Sequence, residues 1–260
     1  MPGQQITAAV FDLGGVLIDW DPRYLYRQLF TDPAEMEDFL TRICTPDWHH
    51  AHDLGEDITE SCRRLARRYP GHRDMIMAWA ECSEEMAVGQ FDEAVGVLRE
   101  VKAAGLRCLA LSNMEPATFA IRRTRFAFMD WFDGFVISGI EGVAKPDRRI
   151  FEILLRRYQL EPAATVFIDD SPGNVEAARA LGMAAVRYTS AGELRNQLRS
   201  LGLTTLRQGT DGGTFGPAGA RRPLAASWIE PGTAVGDPGP HPGSIGHDRH
   251  RGQRQPPFGG

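Results

Sequence analysis

Five short apolar runs punctuate the first 200 residues, at 6–11, 106–111, 135–137, 165–168 and 184–188. They are apolar at nearly every position rather than at alternate ones, which predicts strands buried on both faces of a parallel sheet. Between them the apolar residues recur at helical spacing. In 91–104 they fall at Val95, Leu98 and Val101, and the stretch closes on Gly105, a residue suited to a helix C-terminus. In 146–158 a proline precedes Ile150, Ile153 and Leu154. In 175–181 the pattern ends on Gly182. Strands alternating with helices in this way predict an α/β fold built on an open, doubly wound parallel sheet.

Residues 21–90 break the alternation. Helical periodicity covers 24–30, 35–44, 58–68 and 73–86, and no strand is expected among them. The phrase DLGEDITE at 53–60 reads as a turn and a helix start, with Asp57 or Thr59 as N-cap. The expected organisation is therefore a core from 1–20 and 91–203, with an all-helical cap, 21–90, inserted after the first strand and lying over the strand ends.

Composition changes the picture at the C-terminal end. Residues 204–260 hold 13 of the 28 glycines and 8 of the 17 prolines, with no G-x-y period. Such a segment cannot bury enough apolar surface to offset its ordering entropy, so it reads as a disordered tail. The remaining body carries 23 basic and 30 acidic residues. That acidity argues against broad binding to a nucleic-acid backbone. The four cysteines lack C-x-x-C spacing and read as reduced thiols, and neither a signal peptide nor an 18-residue apolar run is present. The expectation is a cytoplasmic protein, a monomer or homodimer, that acts on a small molecule and contacts neither nucleic acid nor membrane.

In an open α/β sheet, ligands bind beyond the carboxyl ends of the strands. The residues that follow the strands are therefore the candidates for chemistry. They are Asp12 after the first, Ser112 and Asn113 after the second, Lys145 a short loop beyond the third, and Asp169 with Asp170 after the fourth. Asp12 with Asp169 or Asp170 offers hard oxygen ligands that suit Mg²⁺. Lys145 with the metal would neutralise a dianion, Ser112 and backbone N–H groups would bind its oxygens, and Asp12 could then attack as a nucleophile. Each residue also has a plain structural reading, since aspartates after strands commonly cap turns and helices. Lys145 resists that reading, because it is one of two lysines in a chain that otherwise uses arginine for positive charge.

The ordered set FDLGGVL (11–17), LSN (111–113), KPD (145–147) and FIDDSPGN (167–174) resembles the haloacid dehalogenase-like hydrolase superfamily over about residues 6–203. Within it, FDLGGV followed by Asp19 and Asp21 resembles a helical-cap subgroup that contains sugar-phosphate phosphatases, one acting on glucose 1-phosphate. The resemblance implies a Mg²⁺-dependent phosphatase working through an aspartyl-phosphate. Asp12 would be the nucleophile, Ser112, Asn113 and Lys145 would hold the phosphate, and Asn174 would orient the loop. Asp12, Asp170 and the Gly14 carbonyl would bind the metal, with Asp169 a more distant or water-mediated ligand. Trp20 and Trp48 are expected to face the substrate, Trp48 from the polar-aromatic stretch DWHHAHD (47–53).

One departure matters. Where the superfamily's phosphatases carry a second aspartate that protonates the leaving oxygen, this chain has Gly14. Its carbonyl survives and its acid does not, a loss of roughly 10²–10⁴-fold in phosphoester chemistry unless another group substitutes. Asp19 and Asp21 are the nearby candidates for that proton. Two other functions stay open on these residues: a 2-haloacid dehalogenase, whose halide leaves without a proton, and a phosphate-binding regulatory protein with little turnover.

Overall fold

The computed structural model describes residues 5–204 and 206. Five parallel strands form the central sheet: β1 (Ala8–Phe11), β4 (Arg107–Ser112), β5 (Gly134–Ile137), β6 (Thr165–Asp169) and β7 (Ala184–Arg187). Their order is β5-β4-β1-β6-β7. All five coincide with the predicted apolar runs to within a residue or two. The tail expectation falls almost wholly outside the described residues.

Burial on both faces explains why these strands read as continuous apolar runs. Along β1, Ala9 and Phe11 point into one core and Ala8 and Val10 into the other, all essentially inaccessible. The first face is covered by Val95 and Leu98 of α6 (Asp92–Ala103) and Leu194 and Leu198 of α11 (Ala191–Ser200). The second is covered by Ile150, Phe151 and Leu154 of α9 (Arg148–Arg157) and Ala178 of α10 (Pro172–Ala180). The chain leaves β1 for β4 and β5 on one side and returns to β6 and β7 on the other. This places β1 at the topological switch, with its carboxyl end facing the crevice.

Between β1 and β4 lies a helical insert: α1 (Pro22–Leu29), α2 (Pro33–Arg42), α3 (Pro46–Asp53), α4 (Ile58–Arg68) and α5 (Arg73–Glu81). It has a core of its own, centred on Tyr26, Phe39, Cys62, Ile76 and Trp79. Asp21, Asp32, Thr45 and Asp57 cap the first four helices through their side chains.

The expectation of no strand in 21–90 is corrected. The chain crosses into the insert through β2 (Ile18–Trp20) and out of it through β3 (Ala87–Gln90), which pair antiparallel. Four residues with Ala87 buried and Val88 exposed, next to a stretch of helical periodicity, are too few to establish an alternating pattern. The expected helix at 73–86 accordingly ends at Glu81, and a 3₁₀ turn fills 83–86 before β3. A further helix, α7 (Pro116–Arg125), follows β4, and the single turn α8 (Ser138–Glu141) follows β5. Among the described residues no helix is long and apolar enough to cross a membrane.

Candidate active site

Four strand ends and the insert enclose a cavity of about 380 Å³. Asp12 ends β1, with Oδ1 accepting from the Leu13 N–H at 2.7 Å. Lys145 is 2 % exposed, and its Nζ stands 3.0 Å from Asp12 Oδ1 and 2.7 Å from Asp169 Oδ2. A buried ammonium between two carboxylates stays charged, and its pKa is raised by Asp12 and Asp169 despite the desolvation that opposes them. Burial pushes Asp12 up to about 7 and Asp169 adds to this, while Lys145 pulls the other way.

Asp169 is fully buried and saturated with donors. Besides Lys145 it accepts from Asn174 Nδ2 at 2.9 and 3.1 Å and from the Ser171 N–H at 2.9 Å. Asn174 thus anchors Asp169, and Asp169 anchors Lys145. Asp170 is different: burial and Asp169 raise its pKa, and it lies over Gly15. A Cβ on Gly15 would sit 2.6 Å from Asp170 Oδ2, and the residue has φ +72°. The glycine therefore makes room for Asp170 to approach the β1 loop. The Asp12, Asp169 and Asp170 oxygens lie within 4.8 Å of one another. An all-carboxylate donor set with one member already satisfied fits a hard divalent cation held by Asp12 and Asp170.

Gly15→Ala should drive Asp170 off this position and force a left-handed backbone on alanine. The expected result is at least tenfold weaker binding of a divalent cation, roughly 1.4 kcal/mol, read by calorimetric titration of the protein with Mg²⁺.

Ser112 is buried at the end of β4 and lines the cavity, as expected. Asn113 also lines the cavity, with its side-chain amide engaged by the backbone of Lys145. Its Nδ2 donates to the Lys145 carbonyl at 2.9 Å and its Oδ1 accepts from the Lys145 N–H at 2.8 Å, so it fixes the lysine's backbone. Trp20 lines the cavity and stacks on His49, with centroids 5.3 Å apart and planes 20° off parallel. Trp48 does not line it. The ring packs in the insert, 5.2 Å from Trp79 and 4.5 Å from His52. One residue on, the helix turns His49 to the cavity in its place. Burial, with His52 and Arg122 nearby, pushes His49 down to about 4, so the ring is neutral at neutral pH.

Among the cavity residues outside the predicted set, three more are largely buried ionisable groups on the insert and α7. Asp53 ends α3 with a side chain 14 % exposed. His52 beside it is buried with neither ring nitrogen hydrogen-bonded. Arg122 on α7 is 5 % exposed; its Nε has no hydrogen bond and stands 3.7 Å from Glu84 Oε1.

A carboxylate next to a buried ammonium, backed by an acid pair, thus stands at the carboxyl edge of the parallel sheet. A model of the haloacid dehalogenase-like hydrolases matches residues 6–182. The chain belongs to that family and is a hydrolase. It is 28 % identical to the sesquiterpene phosphatase astK of Aspergillus oryzae, covering 75 % of this chain and 95 % of that protein. It is 29 % identical to the phosphorylated carbohydrates phosphatase of Thermotoga maritima, covering 68 % of this chain and 82 % of that protein. Two other relatives are far longer, and the chain spans 36 % and 18 % of them. A family enzyme from Bacteroides thetaiotaomicron, solved with magnesium and inorganic phosphate, shares the fold at TM-score 0.56 and 22 % identity, over 74 % of this chain and 98 % of that one.

Proposed function

We propose that the protein is a Mg²⁺-dependent phosphatase of small phosphorylated metabolites, sugar phosphates among them, acting through an aspartyl-phosphate on Asp12. The observation that carries this reading is the Lys145 ammonium within 3.0 Å of Asp12 and Asp169, beside an exposed Asp170. Asp12 and Asp170, with the Gly14 carbonyl, would hold the cation, and Asp169 would act through Lys145 and Asn174. Bound there, Mg²⁺ would supply positive charge against the phosphoryl oxygens. Lys145 and Ser112 bind the phosphate and orient its phosphorus toward Asp12, and the insert covers it as a cap that keeps bulk solvent out. Phosphatase relatives and a fold neighbour that binds magnesium and phosphate support the same reading.

The dehalogenase alternative makes a different demand. An anionic haloacid would meet Asp12, Asp53, Asp169 and Asp170 with Lys145 and Arg122 as the cavity's cations, so without a bound metal the carboxylates outnumber them and the acid pair favours a cation and a phosphate. A panel of phosphate monoesters assayed with magnesium and with chelator, alongside chloroacetate, decides between them. The expected result is phosphate release that requires the cation, with no halide release. Halide release in chelator would overturn the reading.

A further inference from the structure

We propose that Asp53 supplies the proton that Gly14 cannot: it protonates the leaving oxygen as Asp12 attacks, then takes a proton from the water that releases phosphate. The assignment rests on the phosphatase reading above.

The two acids nearest in sequence are occupied. Asp19 accepts a hydrogen bond from the Tyr24 hydroxyl at 2.8 Å, and Asp21 caps α1 while pairing with Arg23. Among the described residues four carboxyl groups line the cavity: Asp12, Asp53, Glu115 and Asp170. Asp12 is the nucleophile and Asp170 belongs to the cation. Glu115 caps α7, accepting from the Thr118 N–H at 2.8 Å. The lining histidines are poor donors at neutral pH, because burial holds His49 and His52 in the neutral form. Among the described residues Asp53 has only His50 for an ion-pair partner, at 3.9 Å.

Backbone packing holds Asp53 in place. Two residues on, Gly55 has φ +96°, and a Cβ there would sit 2.6 Å from the Gly139 carbonyl of α8. Gly139 is wedged in turn, its own Cβ direction meeting Pro116 and the Met114 carbonyl at 2.7 and 2.8 Å. The end of α3 is thus seated directly on the core beside the strand-end loops. Desolvation raises the Asp53 carboxyl to about 6, against the opposing charges of His50, Lys145 and Arg122. An acid in that range can both give and take a proton near neutral pH.

The step balances. An Asp12 oxygen forms a bond to phosphorus as the bond from phosphorus to the alcohol oxygen breaks, and the Asp53 proton passes to that oxygen. The Asp53 carboxylate then accepts a proton from water as the water oxygen attacks phosphorus, freeing Asp12 and restoring both acids.

The test is the dependence of kcat on leaving-group pKa, measured with saturating magnesium over aryl and alkyl phosphates. Asp53→Asn is nearly isosteric, and its melting midpoint confirms folding. Its loss should grow from about tenfold with p-nitrophenyl phosphate to roughly 10²–10⁴-fold with alkyl phosphates. In the native protein kcat for alkyl phosphates should fall as pH rises through the Asp53 pKa, and the variant should lose that limb. Asp53→Glu should keep the native slope. Adding Gly14→Asp to Asp53→Asn should restore alkyl turnover, since nothing lies within 4 Å of a Cβ at Gly14. An equal loss across the series, or a native slope in Asp53→Asn, overturns the role of Asp53 and leaves the phosphatase reading standing. Absence of magnesium-dependent hydrolysis in the native protein overturns both.

Discussion

Asp12→Asn should lower magnesium-dependent phosphatase turnover by ~10⁴-fold or more while the protein stays folded. The size follows from the role proposed for the residue: as nucleophile it would supply the reacting oxygen, and removing it forfeits the covalent route rather than one contact within it. The fold should survive because the amide oxygen can still accept from the Leu13 N–H. Lys145 also retains Asp169 at 2.7 Å, so the ammonium is not left unpaired. Single-turnover assays with an aryl phosphate, beside a thermal melt, check both halves. Native-like turnover in the variant would remove Asp12 from the chemistry altogether.

Lys145→Met should damage stability as well as activity. The ammonium is buried between Asp12 and Asp169, and Asp169 has no exposure to water at all. Methionine fills much of the same volume but leaves two facing carboxylates in a dry site. Breaking a buried pair from one side costs about 3–5 kcal/mol. Urea unfolding should show a loss of that size, and turnover should fall with it because, on the proposed reading, Lys145 is a cation that holds the phosphate. Saturating magnesium should recover part of the stability, since a cation on Asp12 and Asp170 offsets the same repulsion. A variant as stable as the native protein would mean that the buried ammonium adds nothing net to stability.

These residues were legible because strands buried on both faces announce themselves, and the polar residues that end them stand out. Asp12, Ser112, Lys145, Asp169 and Asp170 all came into view that way. The missed part of the site has one physical cause. In α3 the buried side chain is His52, and in α7 it is Arg122. Helices whose inward face is polar leave no apolar stripe, so hydrophobic periodicity passes over them. Asp53, His52 and Arg122 sit on those two elements. The interchange of Trp48 and His49 has the same root. Adjacent positions on a helix differ by about 100° in direction, so an uncertain register cannot say which of two neighbours faces the cavity. Asn113 was placed at the right strand end, but its bond to the Lys145 backbone depends on a contact 32 positions away.

The β2–β3 ribbon has a consequence for how such a molecule can change. It brings the two points where the chain departs from and rejoins the core to hydrogen-bonding distance, with Ile18 paired to Gln90 and Asp19 to Gly89. Everything between them is a closed detour whose ends nearly meet, the condition under which one module can be exchanged for another without re-registering the host. The sheet with Asp12, Lys145 and Asp170 would then act as a constant chassis, and the residues that greet the leaving group would be a replaceable part. Splicing a foreign insert at the ribbon is therefore a direct route to new substrate preference on an unchanged hydrolase core.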